Sequence, residues 1–451
     1  MHVMFTLSFA AALGVLLGCA KPPEVEREAK PGPASPPPAA DPAAAPPGLD
    51  WGVLEWPLLT NHVQITSRDE FYKAGEAYFD HHTPPRWVIF QAVPVPPPGK
   101  EPEPFYAMYV AKLKRDAAGH ITGTEAPIRI SPDGSANTCG WFHPTEVGRV
   151  LFGSTVGSPA SNEKSGFRVG TRKYVWMFPA EMDVVSRFVP ELWDDHHAGA
   201  QHPQPYPTGG FDAAPMFSRS NYDAEGSWSS DGRFVLYAHV RDEPTRGRPD
   251  ADIWIYDTKT GKQHEIVRGE GYDGGPFFSP DGRMICYRSD RRGDDLLQLF
   301  VGVLKFDADG VPVGLQSEHQ ITDDEHVNWA PYWHPSGKFL VYGSSGVGHS
   351  NYEVFAVEVD TGKPASQLRR RRVTFAHGAD VLPVFSGDGR LMMWTAQRGP
   401  MARGETRPSS QLWIAEVNPA PGGFSDTGKM FDNLPDQRPE GEAAPSPAAH
   451  P

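Results

Sequence analysis

Long apolar runs, cysteines, positive charge and helical periodicity are all scarce in this 451-residue chain. The apolar run at residues 5–18, FTLSFAAALGVLLG, is too short to span a bilayer as a helix, which takes about 20 residues. Three cysteines cannot make a disulfide scaffold. Cys19 ends the apolar run, and Cys139 and Cys286 sit in strand-like stretches of different repeats. A bridge between them would need Cα atoms within about 7 Å, so both are expected to be small buried apolar residues. A formal charge of −14 argues against a general nucleic-acid binder, because no broad face could neutralise phosphates. Catalytic signatures are missing too: there is no G-x-S-x-G, no H-E-x-x-H and no Walker loop. Gly269, Gly271 and Gly274 have the spacing of a dinucleotide loop, but the next element reads as a strand rather than the helix that loop requires. Glycine (46), proline (47) and aromatics (11%) are plentiful, which fits many short strands joined by tight turns, an all-β chain.

The apolar run is the right length for a signal-peptide core. It ends in Leu16-Leu17-Gly18-Cys19, which resembles the bacterial lipobox. That resemblance implies cleavage after residue 18 and a lipid anchor on Cys19, and Ala20 in the following position implies the outer membrane. Residues 19–48 are rich in proline and alanine and are expected to form a semi-stiff tether of roughly 90 Å at most. Residues 418–451 have the composition of a disordered tail. The domain between them is expected at residues 49–417.

One unit recurs along that domain. Its clearest copy is Gly275-Pro276-Phe277-Phe278-Ser279-Pro280-Asp281-Gly282-Arg283, running on to Tyr287. Trp228, Trp333 and Phe385 head equivalent copies, each with Gly four residues later and an aromatic nine residues later. The Asp-Gly or Ser-Gly pair is hairpin chemistry, since glycine accepts positive φ in a tight turn. Phe142 and Phe79 head two looser copies, with Pro84-Pro85 in the first turn. A third strand follows most hairpins. A fourth is marked by an apolar residue twelve before the next anchor: Ile130, Met216, Ile266, Ile321 and Val373. Four strands in each of six units predict a six-bladed β-propeller with antiparallel blades. The long gap between Phe142 and Trp228 predicts an insertion over residues 183–210. The last unit lacks a fourth strand, and His62-Val63-Gln64-Ile65-Thr66 has no earlier unit to join. This segment is therefore expected to close the ring by completing the last blade, which removes an open edge.

The Ser-Pro-Asp-Gly-Arg turn at 279–283 and the preceding Tyr272-Asp273-Gly274-Gly275-Pro276 resemble TolB-like (WD40-like) propeller repeats over about residues 62–417. The resemblance is specific for fold and weak for function. A short polar residue lies five before the anchor in five units: Asn137, Asp223, Asp273, Asn328 and Asp380, with Ala74 in the first. Such residues are expected where the chain enters the innermost strand, near the channel mouth. There they either form a ligand-binding ring, able to hold a divalent cation, or hydrogen-bond their own turns. No other cofactor is expected. Asp80-His81-His82 and Asp195-His196-His197, with His202, contain metal-binding residue types. Adjacent side chains on a loop diverge, however, so these are read as polar surface loops. Arg369-Arg370-Arg371-Arg372 is read as a solvated connection beside a blade edge.

The expected function is binding without catalysis: a monomer, lipid-anchored at the periplasmic or cell-surface side of the outer membrane, holding an envelope protein or glycan and no nucleic acid. The alternative is a metal-dependent propeller enzyme of polysaccharide lyase or hydrolase type working at the channel mouth.

Overall fold

A computed structural model describes residues 50–160, 166–168, 173–175, 179–200, 204–242, 249–419 and 424. Cys19, the signal and tether stretches, His202 and most of the C-terminal tail lie outside the described residues. Six antiparallel sheets form the blades of a propeller, each with strands a to d from the centre outward. Blade 1 is Phe71–Phe79, Trp87–Pro94, Ala107–Arg115 and a split outer strand, Ile121–Thr124 and Ile128–Arg129. Blade 2 is Asn137–Phe142, Arg149–Ser154, Asp183–Phe188 and Ala214–Pro215. Blade 3 is Asp223–Trp228, Phe234–Val240, Ala251–Asp257 and Gln263–Val267. Blade 4 is Asp273–Phe278, Met284–Ser289, Gln298–Phe306 and Pro312–Gln320. Blade 5 is Asn328–Trp333, Phe339–Ser344, Glu353–Glu358 and Arg370–Arg372. Blade 6 is Asp380–Phe385, Leu391–Ala396, Gln411–Val417 and, as its outer strand, Leu59–Gln64.

The a–b hairpins follow from their turn residues. In blade 4 the Ser279 hydroxyl donates to Asp281 Oδ1 at 2.6 Å and accepts the Met284 N–H at 2.9 Å, and Gly282 takes φ 69°. Blades 3 and 6 repeat this with Ser229, Asp231 and Gly232 and with Ser386, Asp388 and Gly389. Nine residues after each hairpin anchor, or close to it, comes a strand-b side chain that packs between blades. Phe90, Phe152, Tyr237, Tyr287, Tyr342 and Trp394 are all essentially fully buried. Cys139 and Cys286 are buried free thiols.

Two expectations are corrected. Residues 183–188 are strand c of blade 2, so the insertion is split in two. One part is residues 155–182, containing the small hairpin Gly166–Arg168 and Lys173–Val175; the other is residues 189–213, containing helix α1 (Pro190–His197). The long gap hid a strand whose polar ends look like loop. The basic run is the second correction. Arg370–Arg372 forms strand d of blade 5, and the Arg370 guanidinium is buried against Asp324 at 3.2 Å and the Ile321 carbonyl at 3.1 Å.

Ring closure occurs as the leftover N-terminal segment predicts. Leu59 pairs with Val417 and Val63 with Ile414. The short turn of helix at Trp51–Glu55 leads into this strand, and its Glu55 is fully buried. Glu55 receives Arg398 Nη1 at 2.9 Å, Nη2 at 3.0 Å and the Phe375 N–H at 2.8 Å, and pairs with His62 at 2.8 Å. Arg398 also pairs with Asp380, the first residue of the same blade. Burial alone would push the Glu55 carboxyl up, but these partners outweigh it and hold its pKa below the usual range. Beyond Val417, Asn418 is buried, and the Phe424 ring stacks on Phe339 at 5.7 Å.

Replacing Arg398 by Ala strands two buried carboxylates. It is expected to cost about 3–5 kcal/mol in denaturant unfolding, with Glu55→Gln/Asp380→Asn/Arg398→Met, which leaves no buried charge in the triad, well below that.

Candidate functional site

Asn137, Asp223, Asp273, Asn328 and Asp380 each begin strand a, and Ala74 takes the equivalent place in blade 1. All five polar residues are buried and hydrogen-bonded; the three aspartates pair within their own blades, and the two asparagines also reach the preceding blade or its connection. Asp223 Oδ1 is 2.8 Å from His239 Nδ1, and Asp273 accepts Arg291 Nη2 at 2.9 Å. Asn328 donates to Asp324 at 2.8 Å and accepts the Ser344 hydroxyl at 2.9 Å, and Asn137 donates to the Tyr106 carbonyl at 2.9 Å. Strand register extends each into a row across three strands. The rows are Asn137, Ser154, Asp183; Asp223, His239, Asp252; Asp273, Ser289, Gln298; Asn328, Ser344, Glu353; and Asp380, Ala396, Gln411. In blade 1 the same row is Ala74, Ala92, Ala107.

The residue two places further on behaves differently. In every blade the a–b register slips there by a β-bulge, and that residue has positive φ: Glu76 (40°), Cys139 (49°), Glu225 (60°), Gly275 (58°), Ala330 (53°) and Leu382 (56°). The bulge re-aims these side chains, and residues of four successive blades meet. Tyr272 Oη donates to the Glu225 carboxylate at 2.7–2.8 Å, and Gly275 N–H also donates to it. Arg288 Nη2 donates to Tyr272 Oη at 2.7 Å and to Glu225 at 3.3 Å. A Cβ on Gly275 would run into the Arg288 guanidinium, and one on Gly274 into the Tyr272 ring. The Gly-Gly pair is therefore the space this charged group occupies. Glu76 accepts the Tyr78 hydroxyl at 2.9 Å. Two residues below the bulges the ring is filled by Tyr78, Trp141, Phe277 and Tyr332, with centroids 4.8–6.3 Å apart. Between the layers Glu76 lines a small gap, about the size of a single water, with Tyr78, Phe277, Ala330, Tyr332 and Leu382.

Burial raises the Glu76 carboxyl, partly offset by Cys139, Arg288 and Tyr78. Burial, with Glu76 and Glu225 beside it, drives the Cys139 thiol well above its ordinary value, so it supplies no thiolate nucleophile. Among the described residues no group of three or more His, Cys, Asp and Glu is arranged to hold a metal ion, and no helix is long and apolar enough to cross a membrane. The channel thus contains a buried polar network, with Arg288 paired to Glu225 and Glu76 accepting the Tyr78 hydroxyl, above an aromatic plug. Its signal in the sequence is the position two after each repeated Asp or Asn, where Glu, Cys and Glu replace the small or apolar residues of blades 4 to 6.

No family model matches the chain. A protein of Agrobacterium fabrum is 32% identical over 117 residues, which are 26% of this chain and 34% of that protein. The Tol-Pal system protein TolB of Wolinella succinogenes is 27% identical over 149 residues, 33% of this chain and 32% of TolB. The chain is a propeller built of TolB-like repeats. The matched stretch spans only about a third of the length of either relative. The solved structure of TolB from Acinetobacter baumannii superposes with a TM-score of 0.42 at 13% identity, covering 78% of this chain and 65% of that one.

Two measurements probe the TolB-like inner strands. Gly275→Ala and Arg288→Ala should each destabilise by about 2–5 kcal/mol, since one displaces the guanidinium and the other leaves Glu225 unpaired. The double variant should fall short of the sum by about 0.5–3 kcal/mol, because the Cβ then enters vacated space. Burial pushes Asp273 up to about 6 against the pull of Arg291. Its folded pKa therefore lies above the unfolded value of about 3.9, so its contribution is favourable in acid and declines as pH rises from about 4 through 6. Asp273→Asn should remove about 2–3 kcal/mol of that decline in unfolding curves taken across this range.

Proposed function

We propose that this chain is a binding propeller of the bacterial envelope. It is a lipid-anchored monomer, attached through Cys19 to the outer membrane, that docks a periplasmic or surface partner, protein or glycan, and performs no catalysis. The observation that carries this reading is the asymmetry of the two ends. The a–b turns are short, and the long connection at their end is residues 189–213 of blade 2. All six b–c connections leave from the opposite end: residues 95–106, 155–182, 241–250, 290–297, 345–352 and 397–410. Irregular loops on a rigid base are where recognition is usually carried.

Blades 6 and 1 supply an apolar and aromatic patch at that end. Tyr72 is 41% exposed, Val95 37% and Met401 56%. Arg68 lies 4.6 Å over the Tyr72 ring and pairs with Glu405 at 2.9 Å, tying the blade 6 loop to blade 1. Aromatic residues, methionine and arginine are the types enriched in protein interfaces. The channel supports binding over turnover, since Glu225 is committed to Arg288 and Tyr272, Glu76 accepts the Tyr78 hydroxyl, and the thiol is protonated.

Photo-crosslinking in the native cell tests this with the full chain carrying the crosslinker at position 72, 401 or, in the opposite turn, 281. Discrete adducts from 72 and 401 and none from 281 are expected. Adducts confined to 281, or none at all, overturn the reading, and metal-dependent release of oligosaccharide from envelope polysaccharide would replace it with the enzyme alternative.

A further inference from the structure

The two Asp-His-His motifs lie more than a hundred residues apart, yet the fold brings them together at the hairpin end. The first is in the a–b turn of blade 1, after Phe79, and the second is in helix α1 of the blade 2 insertion. His82 Nε2 lies 3.2 Å from His196 Nδ1. Two imidazole nitrogens bound to one tetrahedral ion at 2.0–2.1 Å would be about 3.3 Å apart.

The His82 ring is positioned by Asp80, and the helix that carries His196 by contacts of Asp195. His82 Nδ1 lies 2.7 Å from Asp80 Oδ2, and buried Asp80 accepts the Arg86 N–H at 2.9 Å through its other oxygen. A histidine bonded through one nitrogen to a carboxylate presents the other in a fixed direction, as metal-ligating histidines do. Asp195, beside His196, accepts Trp87 Nε1 at 2.9 Å and pairs with Lys112 and Arg86 at 2.6 Å each. These contacts pin helix α1 to blade 1. With Asp80 they also balance the two nearby cations, so an added ion meets no unopposed positive charge. His197 is adjacent, its ring 4.9 Å from that of His196, but its Nδ1 bonds the Trp193 carbonyl at 2.8 Å.

We infer that His82 and His196 form a two-histidine binding site for a divalent transition metal of the zinc, nickel or copper class, oriented by Asp80, with water completing the coordination. Neutral imidazole favours these ions over calcium and magnesium, which take oxygen ligands. In the metal-free protein one proton lies between the facing nitrogens. On metal binding it passes to Nε2 of His196, both rings stay neutral, and each facing nitrogen gives its lone pair to the ion. The site is at the end of the propeller away from the b–c loops, so it stands independently of the proposed partner face.

The test is calorimetric titration of the untagged full chain with Zn²⁺, with Ca²⁺ as control. One saturable Zn²⁺ site and no Ca²⁺ binding are expected. His82→Ala and His196→Ala should each weaken it at least about ten-fold, and Asp80→Asn by about 10–100-fold. His196 is exposed, so the thermal unfolding of His196→Ala should match the parent and separate ligand loss from misfolding. Absence of Zn²⁺ binding by the parent, or unchanged binding in both histidine variants, overturns the assignment.

Discussion

A propeller blade cannot bury its own faces. Each four-stranded sheet is apolar on both sides and is stable only when a neighbour lies against each, so the ring must close or leave two faces in water. Here closure depends on one antiparallel pairing between chain segments some 350 residues apart, the N-terminal strand Leu59–Gln64 against Gln411–Val417. The buried Glu55–Arg398–Asp380 group sits beside that seam. Arg398 also lies under the rings of Trp51 and Trp394, 4.5 and 5.1 Å away. A loop of that length is costly to close in entropy, though the cost grows only slowly with length. A buried, mutually neutralised triad holds the closing register because breaking it would strand charge in the interior.

Within the closed ring the blades obey one backbone rule and differ in chemistry. All six inner strands bulge at the same residue, with the same left-handed φ. The side chains placed there change from Glu, Cys and Glu in the first three blades to Gly, Ala and Leu in the last three. The charged half is compensated by Arg288, which reaches in from strand b of blade 4 over a glycine. Asymmetry around the axis therefore comes from side chains on a nearly symmetric scaffold, and so does the alanine-only row of blade 1.

The two ends of the ring are put to different uses. The b–c end carries the six b–c connections and the Tyr72, Val95 and Met401 patch. The hairpin end is closed by the Tyr78, Trp141, Phe277 and Tyr332 plug. Just outside that plug, the blade 2 insertion folds back onto blade 1 through Asp195 and brings the two histidine motifs together.

The sequence by itself determined the architecture. Repeated Ser-x-Asp-Gly turns, anchor aromatics and the offset of twelve required four-stranded units, and an N-terminal segment without a blade required closure by strand exchange. These are local signals, set by turn sterics and strand periodicity. Only the tertiary structure decided which polar residues meet. The repeated Asp and Asn are legible as a repeat, but their partners His239, Arg291 and Arg398 lie on the next strand or beyond it, at positions with no repeat signature. Strand c of blade 2 was hidden by its flanking insertions, and Arg370 by its charge, since the burial of a guanidinium depends on an Asp324 supplied by another blade. His82 and His196 looked like separate surface loops because sequence separation carries no information about distance once a ring has closed.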